Sequence, residues 1–264
     1  MKRRSPVPQA PSHWRTACSA ALIGAVGALI AFAPAAWLAR GVQAATNGHV
    51  LLAEPEGSVW RGSAQLFLTG GEGTQDAASL PGRMLWKLWP SWSGAVMQVE
   101  LPCCAKQPVQ LVISAGWQRA GVQVGQASVN LPAQWLAGLG APWNTLDPRG
   151  QLTLSTPSLQ VDWAAGRMAL KGNAQLDLLS MSSRLSTLSP LGDYRLQLSG
   201  GDVPAINLQT LQGALQLSGS GQVVGSRIRF SGQASAAQGS EAALGNVLNI
   251  IGRRQGAKSL ISLG

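Results

Sequence analysis

The sequence predicts a mainly β protein, in which an N-terminal transmembrane helix is followed by a curved, largely antiparallel β-sheet with one or two short helices. Three observations predict this fold. One long uncharged apolar run lies near the N terminus, segments of alternating apolar and polar residues fill most of the remainder, and Gly, Ser, Asp or Asn links join them. Alternation with a period of two is typical of strands with one buried face, and short links pair neighbouring strands antiparallel.

The apolar run covers residues 17–39, and it separates a cytoplasmic tail, residues 1–16, from a periplasmic β-rich domain, residues 40–264. A helix of this length, at ~1.5 Å per residue, can cross a ~30 Å hydrocarbon layer. Only basic charges precede it, which favours a cytoplasmic N terminus. We therefore expect a single-pass protein of the bacterial cell inner membrane with a periplasmic main domain. A secretory signal cleaved near residues 42–44 is the alternative.

The positive charge of the chain is mostly a signal of this topology. The net charge is +9, of which residues 1–40 contribute +5 and residues 41–264 contribute +4. Basic residues of the second part are dispersed, with no run beyond Arg253-Arg254, so no nucleic-acid partner is expected. Ten Trp residues stand against one Tyr and three Phe, and we expect most of these Trp side chains in the core or at interfaces.

After the apolar run, most segments alternate as strands do. Residues 84–92 are ambiguous, because a spacing of three (Trp86, Trp89, Trp92) competes there with a spacing of two. The remaining strand-like segments are 57–73, 95–101, 109–115, 120–131, 150–154, 158–163, 167–179, 192–199, 211–218 and 221–236.

Two stretches instead show the helical period. Residues 131–139 have a proline at their second position, Pro132, and repeat apolar residues as one face of a helix does. Residues 240–252 begin at Ser240, a suitable N-cap, and carry an apolar stripe of Leu244, Val247, Leu248 and Ile251. Each stretch predicts one short helix that packs on the sheet.

Groups that could converge in an active site are few. His49 is the only histidine after the apolar run, and the acids are scattered singly. The sequence therefore predicts no catalytic residue, no cofactor, no metal site and no enzyme, since an enzyme would need a cleft that gathers several acids with His49. Arg184 and Arg195 flank a Pro-Gly turn, where they could pair with Asp193 or with a partner's carboxylate.

Cysteine placement leaves three alternatives open. Cys18 lies at the edge of the apolar run, whereas Cys103 and Cys104 are adjacent in the exported part. In an oxidising compartment the adjacent pair could form a vicinal disulfide, bond to another chain or remain reduced.

Several phrases resemble the type II secretion system protein N family. The phrases are Pro34-Ala35-Ala36-Trp37-Leu38, Gly57-Ser58-Val59-Trp60-Arg61-Gly62, residues 132–136 (PAQWL), residues 139–150 (LGAPWNTLDPRG), residues 183–192 (SRLSTLSPLG) and residues 248–254 (LNIIGRR). The resemblance implies an inner-membrane accessory component of the general secretory pathway, which exports folded proteins from the periplasm through an outer-membrane channel. It implies no catalytic residues.

Trp135, Trp143, Arg184 and Leu248 lie in these phrases, and they are the candidate partner-binding residues. Trp and Arg are the residue types that dominate protein interfaces. The expected partners are other components of that secretion system, either the inner-membrane scaffold or the secretion channel, together with the inner membrane. The alternative is a lipid- or apolar-ligand-binding groove protein similar to AsmA-like periplasmic proteins, which would show a continuous groove lined by Leu and Val.

Overall fold

Within the residues that the computed structural model describes, 14–71, 73–164, 167–224 and 227–264, sixteen strands form one antiparallel sheet. The strands are β1 (Val50–Gly57), β2 (Arg61–Thr69), β3 (Ala77–Ser79), β4 (Met84–Ser91), β5 (Gly94–Glu100), β6 (Val109–Gly116), β7 (Arg119–Val124), β8 (Ala127–Pro132), β9 (Pro148–Ala164), β10 (Arg167–Ser183), β11 (Gly192–Gly201), β12 (Ala205–Gly213), β13 (Leu215–Val224), β14 (Arg227–Ala236), β15 (Arg253–Gln255) and β16 (Lys258–Leu263). The prediction of a mainly β fold is confirmed.

Strand order nearly repeats chain order. The path runs β1-β2-β4-β5-β6-β7-β9-β10-β11-β12-β13-β14-β16-β15, with β3 paired to β2 and β8 paired to β9. The sheet forks at two strands. Strand β2 pairs with β4 through its first half and with β3 through its last residues, and the long strand β9 pairs with β8 through its first half and with β7 through its second. A register shift at Thr156 and Pro157 separates the halves, as expected of a β-bulge. The ambiguous segment 84–92 is mostly strand β4.

Five helical segments accompany the sheet in the described part of the chain. They are α1 (Trp14–Ala31), α2 (Ala35–Ala45), a 3₁₀ helix (Ala133–Leu139), α3 (Trp143–Leu146) and α4 (Glu241–Ile251). The two short helices predicted from periodicity correspond to the 3₁₀ helix and α4. The Ser240 side chain, however, makes no capping hydrogen bond.

The predicted single helix over residues 17–39 is wrong, because the chain forms α1 and α2 with a break at residues 32–34. Pro34 lacks an N–H and disfavours a helical conformation of Ala33. The Ala33 carbonyl instead accepts a hydrogen bond from the Val59 N–H at 2.9 Å, and Pro34 bridges to Ser58. Of the helices described, none is both long and apolar enough to cross a membrane. Most of the predicted cytoplasmic tail, residues 1–13, lies outside the described residues.

One face of the sheet carries the core. Helix α2 covers the N-terminal strands, where Ala35 packs with Leu52 and Trp86. Helix α4 covers the C-terminal strands through its buried stripe of Leu244, Val247 and Leu248. A third cluster of Leu80, Cys104 and Val129 lies between them. Leu66 and Leu131 each pack against two of these clusters, so the three form one apolar layer.

Five hairpins from β4 to β14 turn at the same end of the sheet as the β1-β2 hairpin, and we call the tips of these five the hairpin rim. The hairpins are β4-β5, β6-β7, β9-β10, β11-β12 and β13-β14. Their common position follows from antiparallel pairing, since every second connection must return at the same end. The opposite end, which we call the loop end, carries the longer connections 101–108 and 184–191.

Candidate interaction surfaces

The sheet face opposite the apolar layer carries rows of polar side chains, and we call it the polar face. Strand register places residues of neighbouring strands side by side across β8 to β12. One row is Asn130, Thr153, Asp177, Arg195 and Gln209, and the next is Ser128, Ser155, Gln175, Gln197 and Asn207. Successive side chains of a strand alternate between faces, so the residues next to these polar ones in each strand, many of them Leu or Val, point to the core face.

An ion pair lies at the centre of the first row. Arg195 Nε donates to Asp177 Oδ1 at 2.7 Å, and Arg195 Nη2 donates to Asp177 Oδ2 at 3.1 Å. Gln175 Nε2 also donates to Asp177 Oδ2, at 2.9 Å. The hydrogen bond from Arg195 lowers the pKa of Asp177 against the opposing effect of burial, and the bond from Gln175 lowers it further. The same ion pair raises the pKa of Arg195.

A concavity of about 840 Å³ opens beside this ion pair. Its wall contains Ser128, Ser155, Gln175 and Gln197 of the second polar row, together with Lys106 and the bulge at Thr156 and Pro157. Ala127, Ala174 and Leu198 also line it. Amide and hydroxyl side chains both donate and accept hydrogen bonds, so this wall can bind a polar ligand or a segment of protein backbone. A groove lined by Leu and Val, which the lipid-binding alternative requires, would have a different wall, and that alternative is not supported.

The adjacent cysteines lie at the loop end, next to the concavity. Cys103 and Cys104 are joined by a disulfide bond with an S–S distance of 2.03 Å, and Cys18 is free and exposed. The Cys104 carbonyl accepts a hydrogen bond from the Asn130 N–H at 2.7 Å, and Ala105 forms a bridge to Val129. The disulfide segment therefore pairs with Val129 and Asn130 on the edge of β8 that faces away from β9, and it holds Lys106 at the concavity.

The four residues predicted to bind partners occupy two places. Trp143 packs half-buried against the C-terminal core, which contains Leu248 at 1% exposure. A side chain so buried has no surface to offer a partner. Arg184 is exposed, and its Nε donates to the Thr145 carbonyl at 3.1 Å, so it fastens the loop at 184–191 to α3. Trp135 packs half-buried against the third cluster, which contains Leu80 and Cys104, on the 3₁₀ helix that contacts α3.

Two interactions differ from their sequence-based expectations. Asp193 accepts hydrogen bonds from the Ser180 N–H and from Gln212, both at 2.6 Å, whereas Arg195 pairs with Asp177. His49 Nδ1 lies 3.1 Å from the Thr69 carbonyl oxygen on β2, far along the sheet from the acids of β10 and β11. Among the described residues no three His, Cys, Asp or Glu side chains are grouped so as to hold a metal ion.

Sequence reasoning missed the exposure of two tryptophans and the polar rows. Trp92 and Trp117 lie fully exposed at tips of the hairpin rim rather than in the core. Trp92 lies between Ser91 and Ser93, and Trp117 follows Gly116, which was a usable signal because Ser and Gly mark turns. The polar rows could be recognised only once the strand register was known, because the register brings together Asp177 and Arg195, which are eighteen positions apart in the sequence.

Comparison with known proteins bears on the whole sheet at once. No curated protein and no solved structure matches the chain. The family model described as type II secretion system (T2SS), protein N, matches residues 48–260, which run from the residues before β1 into β16. Because this match covers most of the chain, the protein belongs to the type II secretion system protein N family.

Proposed function

We propose that this protein is a non-catalytic accessory component of the type II secretion system that supports export of folded periplasmic proteins across the outer membrane. The observation that carries the proposal is the family match over residues 48–260, because the matched region is the sheet itself. A broad sheet with one filled core face and one polar face is suited to holding other proteins, since its large polar area offers many hydrogen-bonding groups.

The proposed location is the bacterial cell inner membrane, with the N terminus in the cytoplasm and the sheet in the periplasm. Helix α1 supports this location because its apolar side chains, such as Ile23 and Leu29, are exposed and contact no core cluster. We propose that α1 enters the membrane and attaches the sheet to it.

The proposed contact for a partner is the concavity on the polar face. Strand addition at the sheet edges is disfavoured, because edge strand β1 contains Pro55 and the charged Glu54 and Glu56. The other edge strand, β15, has three residues. A periplasmic segment of an inner-membrane scaffold component or of the secretion channel would instead hydrogen-bond to Gln175 and Gln197.

Photo-crosslinking in intact cells tests this contact. A photoreactive residue is placed at Gln197 in the concavity, and a matched probe is placed at Gln233, which lies on the polar face outside it. Two further probes, at Trp143 and at the exposed Ile250 beside Leu248, examine the surface predicted from sequence. Captured species are identified by mass spectrometry.

We expect Gln197, but not Gln233, to capture proteins of the secretion system. Capture only at Trp143 and Ile250 would move the contact to the loop end and contradict the role of the concavity. Capture of phospholipid at Gln197 without secretion proteins would overturn the proposed function in favour of lipid carriage.

A further inference from the structure

The hairpin rim exposes large apolar side chains at turns, where polar residues are usual. Trp92 and Trp117 are 108% and 93% exposed at the tips of β4-β5 and β6-β7. Val203 lies 53% exposed in the β11-β12 turn, and Val224 and Trp163 are the exposed apolar residues beside the turns of β13-β14 and β9-β10. Each of the five tips therefore presents at least one apolar side chain to the surroundings.

Cationic side chains accompany these apolar ones. Arg119, Arg167 and Arg227 each begin a strand directly after a rim turn, and all three are exposed. In the part of the chain that the structure describes, none of the three forms an ion pair with a carboxylate. Asp162, an acid near the rim, is paired with Lys171 at 3.8 Å. Asp202 in the β11-β12 turn is an exposed acid, but the three arginines outnumber it. The rim is thus mainly apolar at its tips and carries a net positive charge just behind them.

Helix α1 joins the sheet at this same end. Trp60 Nε1 donates to the Ile30 carbonyl at the end of α1, at 2.8 Å. The Trp60 carbonyl in turn accepts from the Leu88 N–H at 2.8 Å, and Leu88 lies three residues before Ser91 at the end of β4. At ~3.3 Å per strand residue, the C-terminal end of α1 lies roughly 10 Å from the level of the tips.

We propose that the hairpin rim rests on the surface of an anionic phospholipid bilayer, with the Trp and Val tips in the headgroup region and the arginines on lipid phosphates. The proposal builds on the membrane attachment through α1 that is proposed above. Trp favours the membrane interface because its ring is apolar while its N–H can hydrogen-bond, and Arg binds phosphate through two N–H groups. Basic residues near an anionic surface strengthen such binding.

The shape of the rim favours a membrane over a protein partner. Its tips follow one another from β4 to β14 along the sheet. At ~4.8 Å per strand this row is roughly 40 Å long and only a turn wide. Protein interfaces are usually compact patches with a buried centre, whereas a long row of separate tips can lie on a plane without a fitted groove. A bilayer that already holds α1 presents such a plane beside the rim.

Fluorescent depth probes on the full chain in vesicles test the proposal. In a Cys18→Ser background, an environment-sensitive dye is attached at Trp92→Cys or at Trp117→Cys. The control is Ala257→Cys, an exposed position in the β15-β16 turn at the loop end. A dye at Val26→Cys reports whether α1 enters the membrane. Vesicles contain phosphatidylcholine alone or with phosphatidylglycerol, and lipids with a quencher near the headgroup measure contact.

We expect the dyes at positions 92 and 117 to shift to shorter emission wavelengths and to be quenched, most strongly with phosphatidylglycerol, while the dye at 257 remains as in water. Quenching of the rim dyes gives the ratio of protein with its rim on the bilayer to protein with its rim in water. Each of the substitutions Arg119→Gln, Arg167→Gln and Arg227→Gln should lower this ratio about fivefold on anionic vesicles. Equal effects on neutral and anionic vesicles would overturn the role of the arginines.

The probes separate the two proposals. Rim dyes that behave like the dye at 257, while the dye at 26 is quenched, would overturn rim binding and leave membrane attachment intact, which would point to a protein on the rim. Rim quenching without quenching at 26 would support rim binding and contradict attachment through α1. Absence of quenching at every position would overturn both.

Discussion

At the scale of single residues, the pair of Asp177 and Arg195 makes one strand contact depend on pH. The pKa of Asp177 is lowered in the folded protein by the hydrogen bond from Arg195. A carboxyl group with a lowered pKa stabilises the fold above its unfolded pKa of about 3.9, and this contribution is lost as the pH falls through the folded value. The pairing of β10 with β11 should therefore weaken in acid.

Replacement of Arg195 by glutamine should raise the pKa of Asp177 towards its ordinary value. We also expect a lower free energy of unfolding near neutral pH, because Asp177 loses a charged hydrogen-bond donor, and this difference from the wild type should shrink in acid. Carbon-13 NMR titration of the carboxyl and urea unfolding at several pH values measure both effects. Arg229→Gln, at an exposed position on β14, is the control. An unchanged Asp177 titration would contradict the assignment.

Gly62 lets an aromatic ring lie against the backbone of β2. A Cβ at this position would lie 2.5 Å from a ring carbon of Trp86 and 2.6 Å from the Glu56 carbonyl oxygen. Trp86 is almost fully buried in the N-terminal cluster, so the ring cannot move away without opening that core.

Gly62→Ala should therefore lower the free energy of unfolding by about 1–3 kcal/mol through overpacking. The matched variant is Gly245→Ala in α4, where an added Cβ meets nothing within 4 Å. That change should stabilise the helix by about 0.5–1 kcal/mol, because alanine is the better helix former. Denaturant unfolding of both variants checks the opposite signs. Equal effects would mean that the Trp86 contact does not limit position 62.

At the scale of elements, α4 is held by its buried stripe. Leu248→Ala should cost about 2–5 kcal/mol of unfolding free energy, since a buried leucine leaves a cavity when it is truncated. Ile250→Ala, on the exposed side of the same helix, should change stability by less than about 1 kcal/mol. A similar small loss at both positions, measured by denaturant unfolding, would show that α4 does not cover the sheet as described.

The sequence predicted those elements in which the spacing of apolar residues matches the face that is buried in the structure. The apolar stripe from Leu244 to Ile251 predicted α4 because one face of this helix is buried and the opposite face is exposed to solvent. The break at residues 32–34 was missed although Pro34 is a local signal for it, because the hydrogen bond from Val59 to Ala33 that stabilises the break joins residues remote in sequence. The polar concavity was missed for the same reason, since it exists only once register has aligned Ser155, Gln175 and Gln197.

At the scale of the whole molecule, an open sheet must keep its edges from pairing with other chains. Edge strand β1 carries Pro55 between Glu54 and Glu56, and Arg83 forms ion pairs with both glutamates. A proline removes a backbone donor, and edge charges would be buried by a new strand, so both features oppose association.

The double variant Pro55→Thr and Glu56→Thr should therefore self-associate as its concentration rises. Sedimentation velocity in detergent micelles measures this, with Glu100→Thr on the interior strand β5 as the control. A double variant that sediments as the control does at every concentration would show that this edge is protected by something else.

The close agreement of strand order with chain order has a consequence for how the molecule is made. A polypeptide leaves the ribosome N terminus first, and here nearly every strand finds its hydrogen-bonding neighbour in the segment synthesised just before it. The sheet can therefore grow by one hairpin at a time, with a single growing edge that each new strand covers. Strands β15 and β16 join the sheet after β14, and α4 closes over the core only after the strands that it covers have been made.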